Sequence, residues 1–316
     1  VNVMAAETTP LREVVAVAPG KVNVTLAVGA LADDGYHPLA TTFMALDLYE
    51  HVRAVAADEI SLQYASGSIP TDELSCGEDN LAIRAARALA EFTGTEQGVA
   101  LTITKHVPIA GGMGGGSADA AATLIACDRL WGTNLTNEDL LALGATLGSD
   151  VPFAILGGVA IGTGRGDSLA PTMVSGTFEW VLRLSDEGMS TPATYRALDE
   201  HRARHRAHLS VAAEPEVAED AVLALRGGDV HALAQALDND LQAPALGLRP
   251  DLAEALEFGE TQGALAGIVS GSGPTLAFLA ENAAAADALA TRFADAGHRV
   301  VRASGPVLGA RVIEQR

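Results

Sequence analysis

Between positions 108 and 118 the chain reads Pro108-Ile109-Ala110-Gly111-Gly112-Met113-Gly114-Gly115-Gly116-Ser117-Ala118, with five glycines in the six positions from Gly111. Glycine loses more backbone freedom on ordering than any other residue, so such a run is neither a stable helix interior nor a strand interior. Its flanks narrow the choice. Val99, Leu101 and Ile103 alternate with Thr102 and Thr104, the period-two pattern of a strand. Ser117 to Trp131 is rich in alanine and leucine and reads as a helix. A strand, a glycine loop and a helix start together make an anion site. Glycine lets backbone N–H groups approach a ligand closely, and the helix start adds unpaired donors and a partial positive charge. A phosphate chain is the expected guest; a flexible linker or tight turn is the plainer alternative. Two common phosphate loops are excluded by spacing. No Gly-x4-Gly-Lys-Ser/Thr string occurs, and Ser117 stands where a Gly-x-Gly-x-x-Gly motif needs its third glycine.

The chain has 316 residues, beyond the roughly 250–300 at which one core stops growing, so two domains are expected, 1–171 and 172–316. Aromatics make up only 4%, which leaves alanine, valine and leucine to fill most of the core. A formal net charge of −20 argues against nucleic-acid polymers and anionic membranes as partners. It leaves a nucleotide open, since backbone N–H groups and one or two lysines bind phosphates locally. Cys76 and Cys127 form no metal-spaced cluster and fit a reducing compartment. Val1 to Pro10 carries no signal-peptide pattern, and the apolar stretch from Val151 to Ile161 is too short to span a bilayer. A soluble cytoplasmic chain is expected.

Val14–Ala18 and Val22–Val28 read as two strands separated by Pro19-Gly20. Alternation in the second puts Val22, Val24, Leu26 and Val28 on one face and Lys21, Asn23 and Thr25 on the other. Strands are also expected at Leu46–Val55 and Ile60–Ala65. Asn80 or Asp79 can cap a helix ended by Gly94. Thr136-Asn137-Glu138-Asp139 has the form of a capping box, and Gly148 stops the helix it starts. Ser149-Asp150-Val151-Pro152 then forms the exit. In the second half a strand at Phe178–Leu184 precedes helices around Pro192–Arg206, Glu216–Arg226, Asp229–Leu237 and Asp251–Glu257. Strands at Ile268-Val269 and Thr275–Leu279, a helix at Ala283–Ala296 and a strand at Arg299–Ala303 close the chain. The mixture predicts an α+β fold.

Phosphoryl transfer to an alcohol needs positioning, charge stabilisation and a carboxylate to accept the hydroxyl proton. Asp150 and Lys21 are candidates; their plainer readings are a turn aspartate and a strand-end lysine. His201, His205 and His208, with Arg202, Arg204 and Arg206, form a basic helix face whose spacing could ligate a metal. With no carboxylate or cysteine alongside, a solvated face is favoured.

Pro19-Gly20-Lys21-Val22-Asn23, the 108–118 loop, Gly148-Ser149-Asp150-Val151-Pro152-Phe153 and Ser270-Gly271-Ser272-Gly273-Pro274-Thr275 stand in the order seen in the GHMP kinase superfamily, which the chain resembles from about Val14 to Leu279. Asp34-Gly35-Tyr36-His37 makes it similar to one branch, which acts on diphosphocytidyl-methylerythritol in the non-mevalonate isoprenoid route. The resemblance implies a two-domain α+β architecture with the active site in the cleft between the domains. It implies ATP as donor and transfer to the 2-hydroxyl of a cytidine diphosphate-linked methylerythritol. Another small-molecule kinase of the superfamily (for homoserine, mevalonate or a sugar), or a non-catalytic nucleotide-binding protein, is the alternative.

By the same resemblance Asp150 is the catalytic aspartate, and Lys21 keeps it ionised and stabilises the developing alkoxide. Asn23 positions the acceptor. Residues Pro108 to Ala118 hold the ATP phosphates, and Asn80 and Lys105 fall near the adenine, Asn80 being equally plausible as a helix cap. Tyr36 and His37 recognise cytosine, and Tyr195 stacks on it. The last glycine motif buttresses the phosphate loop or is an ordinary turn. Mg2+ is expected with the ATP. Some superfamily members hold it with a loop serine plus a glutamate, but no clear glutamate counterpart is found here and no protein ligand is named.

Overall fold

The computed structural model describes residues 11–66, 69–72, 74–109, 111–205 and 211–316. The first half runs β1 (Glu13–Val28), β2 (Leu39–Ala57), β3 (Ser61–Tyr64), α1 (Leu81–Thr93), β4 (Gly98–Thr104), α2 (Gly115–Trp131), α3 (Asn137–Leu147), α4 (Val151–Leu156), β5 (Val159–Gly164) and β6 (Ser168–Pro171). The second runs β7 (Phe178–Arg183), α5 (Thr191–His205), α6 (Glu219–Gly227), α7 (Val230–Ala236), β8 (Asp238–Asn239), α8 (Gln242–Leu248), α9 (Asp251–Thr261), β9 (Ala266–Val269), β10 (Leu276–Ala280), α10 (Ala283–Asp295), β11 (Val300–Gly305) and β12 (Arg311–Gln315).

Two sheets result. The larger has the order β12-β1-β2-β4-β3, with β5 and β6 extending from the first half of β2 and β8 pairing with β1. The smaller has the order β11-β7-β10-β9. The α+β expectation holds, while several details differ from the sequence reading. Pro19-Gly20 does not split β1; the strand runs through, with a register shift between Pro19↔Tyr49 and Gly20↔Leu46. Proline lacks a ladder donor, and a bulge is one of the few places a strand accommodates it. The chain also does not close at Ala303, because β12 returns to pair antiparallel with β1. Finally, the seven-residue α8, with Pro244 and Gly247 inside it, carried no helical signal.

A second irregularity in β1, between Asn23↔Phe43 and Thr25↔Thr42, overturns the expected alternation. Val22 and Val24 pack in the core beneath the smaller sheet, with Trp180 and Leu182. Leu26 and Val28 instead join Leu198 and Leu241. The extra residue flips which face the following side chains meet.

Helix α2 is buried on nearly every side: Ala118, Ala120, Ala121, Ala122, Leu124 and Ala126 have no exposed surface. Its small side chains let it lie close against β1, β2 and α1, as a helix apolar all round must. The packing of α2 fixes where its first turn, and so the glycine loop, points. Among the described residues no helix is long and apolar enough to cross a membrane.

Candidate active site

The glycine loop ends at Gly114, the N-cap of α2, in left-handed conformation with φ 71°. No side chain caps this helix start, so its donors are left to a ligand. Gly112 also has positive φ, 75°, and an added Cβ there would overlap the Ser270 carbonyl oxygen. The loop at 270–274 therefore lies directly against it, with the Ser270 hydroxyl 3.4 Å from the Gly112 carbonyl oxygen. Buried Asn239 on β8 anchors that second loop, donating to the carbonyls of Val269 and Gly271 at 2.8 Å each. Ala110 lies outside the described residues.

Lys21 is brought to the loop by β1, where its backbone N–H donates to the Met113 carbonyl at 3.0 Å. Its ammonium sits 3.5 Å from Asp150 Oδ2, donates to Asn23 Oδ1 at 2.5 Å, and stands 5.6 Å from the centre of the Phe43 ring. Asn23 in turn donates to Thr41 Oγ1 at 2.8 Å, which fixes its amide. Ser149-Asp150 is not merely a helix exit: Asp150 is the N-cap of α4, with Pro152 in its first turn. An aspartate there normally caps with its side chain; this one makes no such bond. Its carboxylate faces Lys21 and the cavity instead.

Lys21, Asn23, Gly111–Ser117, Asn80, Lys105, Asp150 and Tyr195 line one cavity of about 500 Å³. A second, of about 770 Å³, is lined by Tyr36, His37, Tyr195, Arg165 and Arg196. Leu39, Ser149, Arg165, Thr191 and Tyr195 belong to both walls, so the cavities adjoin. Tyr195 is held at the junction, its ring 5.4 Å from that of His37. Burial, with the Asp150 charge nearby, pushes its hydroxyl up to about 12. His37 is engaged at both ring nitrogens, Nδ1 3.0 Å from the Gly29 carbonyl and Nε2 3.4 Å from Asp199. Tyr36 reaches only the second cavity, where the Arg165 guanidinium lies 3.8 Å over its ring and also pairs with Asp34 at 3.1 Å.

At the far end of the first cavity Lys105 is not a free cation. Its ammonium pairs with Asp119 at 2.6 Å and Glu50 at 2.7 Å, all three side chains being buried. Glu50 also accepts the backbone N–H groups of His106, at 2.9 Å, and Val107, at 3.2 Å, pinning the segment that leads into the loop. Desolvation raises both carboxyls, Asp119 to about 7. Asn80 is a true helix cap, accepting from Ala82 N at 2.9 Å, and it also lines the cavity.

Glu50, Tyr64, Asp119, Arg165 and Asn239 were not singled out in the sequence, where each stands in an ordinary strand, helix or turn. The basic helix face is not simply solvated. Arg202 is largely buried and donates to the carbonyls of Val28, at 2.7 Å, and Gly29, at 3.0 Å, with Asp240 at 3.1 Å. Position alone hides this, because the two carbonyls lie more than 170 residues away in sequence. Arg206 and His208 lie outside the described residues, and among those described no three His, Cys, Asp or Glu side chains converge as a metal site.

Residues 80–158 match the model of the GHMP kinases N terminal domain, and 221–299 that of the GHMP kinases C terminal. The chain is 59% identical to the 4-diphosphocytidyl-2-C-methyl-D-erythritol kinase of Clavibacter michiganensis subsp. michiganensis, over 94% of this chain and 95% of that protein. It is 57% identical to the protein of the same name from Leifsonia xyli subsp. xyli, over 94% and 97%. A crystal structure of a 4-(cytidine 5'-diphospho)-2C-methyl-D-erythritol kinase superposes with TM-score 0.72 at 30% identity, covering 91% of this chain and 97% of the other. A homoserine kinase from Cytophaga hutchinsonii also superposes with TM-score 0.72, but at 18% identity it shares the fold alone.

Proposed function

The chain belongs to the GHMP kinases, in the branch of 4-diphosphocytidyl-2-C-methyl-D-erythritol kinases, and on that premise we propose how its cleft moves a phosphoryl group from ATP to the 2-hydroxyl of 4-diphosphocytidyl-2-C-methyl-D-erythritol, a step of the non-mevalonate isoprenoid route. The triphosphate lies in the loop from Pro108 to Ala118, its terminal group against the uncapped start of α2. Asp150 takes the proton of the 2-hydroxyl as that oxygen attacks the γ-phosphorus. The bond from phosphorus to the β–γ bridging oxygen breaks, and ADP leaves. Lys21 holds Asp150 ionised and stabilises the alkoxide, while Asn23 orients the acceptor. The observation that carries this reading is the Lys21–Asp150 contact of 3.5 Å beside a glycine-lined helix start that no side chain fills.

The adjoining second cavity is the acceptor's, with cytosine against Tyr195, His37 and Tyr36. Mg2+ is part of the proposal as a companion of the triphosphate, whose charge it neutralises when bound. The described residues form no protein cage for it, since Glu50 and Asp119 are tied to Lys105. We place the ion beside the Ser117 hydroxyl and the Asp150 carboxylate, both on the cavity wall. The two domains are proposed as 1–171 and 172–316, a division supported by β6 ending at Pro171 and β7 opening the smaller sheet, with β8 and β12 crossing back to β1. A cytoplasmic setting, where ATP is made, completes the reading.

The test is phosphate transfer from ATP to a panel of acceptors. Preference for homoserine, mevalonate or a sugar over the cytidine-linked acceptor would reject the assignment of the second cavity. Tyr195→Ala is expected to raise the KM for the acceptor about tenfold or more while the KM for ATP changes little, as lost ring stacking requires. Equal loss for both substrates removes Tyr195 from the cytosine.

A further inference from the structure

The two adjoining cavities share a single charged side chain. Among the cations on their walls, Lys21 and Lys105 line only the first, His37 and Arg196 only the second, and Arg165 both. Arg165 stands in the turn that joins β5 to β6, between Gly164 at φ 68° and Gly166 at φ 92°. Left-handed backbone on either side lets the chain reverse there and brings the arginine to the cavity junction. Its guanidinium lies 3.8 Å from the centre of the Tyr36 ring, and Nη2 donates to Asp34 Oδ2 at 3.1 Å. Asp34 Oδ1 in turn accepts the Tyr36 backbone N–H at 3.0 Å, so turn and arginine form one unit. Only part of the guanidinium is used. It carries five N–H donors in a planar fork, and apart from the bond to Asp34 they have no partner among the described residues. Both side chains of the pair are more than half exposed, so the contact adds little stability by itself.

Asp150 lines only the first cavity, and Tyr36 and His37 only the second. An acceptor with its base in the second cavity and its reacting hydroxyl at Asp150 must therefore cross the wall they share. What crosses is its middle, the diphosphate bridge, with a negative charge on each phosphate. The chain around it is acidic, with a net charge of −20 and Asp167 and Asp199 on the second wall. Those phosphate charges need a cation at the crossing. We propose that Arg165 grips the diphosphate bridge of the acceptor with the open edge of its guanidinium, and so makes the second cavity selective for nucleoside diphosphates over the bare nucleoside. A planar fork matches two phosphate oxygens at once, which a point charge does not. Asp34 and Tyr36 act as positioning residues, one tethering Nη2 and the other backing the guanidinium with its ring. The inference rests on the reading of the second cavity as the acceptor's.

The test titrates cytidine and CDP as inhibitors competitive with the cytidine-linked acceptor, at saturating ATP, in wild type, Arg165→Met and Arg165→Lys. Wild type is expected to hold CDP more tightly than cytidine. In Arg165→Met that preference falls about tenfold or more, the size of a lost charge-assisted contact, while the inhibition constant of cytidine and the KM for ATP stay where they were. The KM for the acceptor rises by the same factor as the inhibition constant of CDP. Arg165→Lys keeps the charge without the fork and is expected to recover part of the preference. A merely structural role for the turn, or the loss of support for Tyr36, would weaken cytidine along with CDP. An unmoved preference in Arg165→Met, an equal loss for cytidine and CDP, or an Arg165→Lys variant no better than Arg165→Met overturns the grip on the diphosphate alone. A wild type in which neither compound competes with the acceptor overturns the reading of the second cavity itself.

Discussion

Asp150 and Asp119 are both carboxylates on the wall of the first cavity, and their surroundings give them opposite work. Asp150 stands 3.5 Å from Lys21 and is 29% exposed, so it meets both a cation and the cavity. In Asp150→Asn the proton acceptor is lost while the phosphate loop is untouched. The expected result is a kcat lower by roughly 10²–10⁴-fold with ATP affinity little changed, read by steady-state kinetics and nucleotide binding together. Near-normal turnover would remove Asp150 from its role. Asp119 is buried, and desolvation raises it from 3.8 to about 7 against the pull of Lys105, with the Glu50 charge pushing the same way. Between those values the folded protein holds a proton that the unfolded chain has released. Stability tied to this group is therefore greatest near pH 4, falls as pH rises to about 7, and is flat above. Thermal melts of Asp119→Asn should show a shallower loss of Tm from pH 5 to pH 8 than wild type; an identical slope would show that the proton is held elsewhere.

At the scale of elements, the phosphate loop contains two glycines whose replacement separates stability from catalysis. Both Gly112, at φ 75°, and Gly114, at φ 71°, have backbone conformations that cost an L side chain about 1–2 kcal/mol. At Gly112 a Cβ also strikes the Ser270 carbonyl, which is held by its own loop. At Gly114 it meets Lys21 Cγ, at 3.4 Å, and Asp150 Oδ2 and Lys21 Cε, each at 3.7 Å, all ordinary van der Waals contacts. Gly112→Ala is therefore expected to lose more than about 2 kcal/mol in denaturant unfolding, from strain and overlap together. Gly114→Ala should lose less stability but cut kcat, because the left-handed backbone strain falls at the start of α2, where the loop's donors are aimed. The reverse order of the two unfolding free energies would contradict this account of the loop.

For the whole molecule, the cleft depends on ties that join distant segments. Arg202 on α5 binds the carbonyls that end β1, and α5 is also the helix that carries Tyr195. Arg202→Met keeps much of the packing volume but leaves the Val28 and Gly29 carbonyls short of a charged donor. A loss of about 1–3 kcal/mol is expected, with the acceptor's KM rising more than that of ATP, because α5 borders the second cavity. Chemical unfolding and two-substrate kinetics check both halves; equal rises in the two KM values would disconnect α5 from acceptor binding. The acidic surface does not oppose phosphate binding here. In the proposed reading the donors that meet the phosphates are backbone N–H groups at the start of α2, which act at contact distance, whereas the −20 net charge is spread and screened over about 8–10 Å.

Much of this was legible from local chemistry. The caps at Asn80 and Thr136 and the stops at Gly94 and Gly148 each follow from interactions within one turn of chain. The strand, glycine turn and uncapped helix start around the loop were legible because they are contiguous in sequence. The contact of Lys21 with Asp150, the bulge that turns Leu26 away from Val24, the Lys105–Glu50–Asp119 cluster and the return of β12 to β1 were decided only in three dimensions. Each joins residues whose separation along the chain leaves no periodic or spacing signal. Which of them meet depends on how α2 and the two sheets pack, and close packing admits a single arrangement.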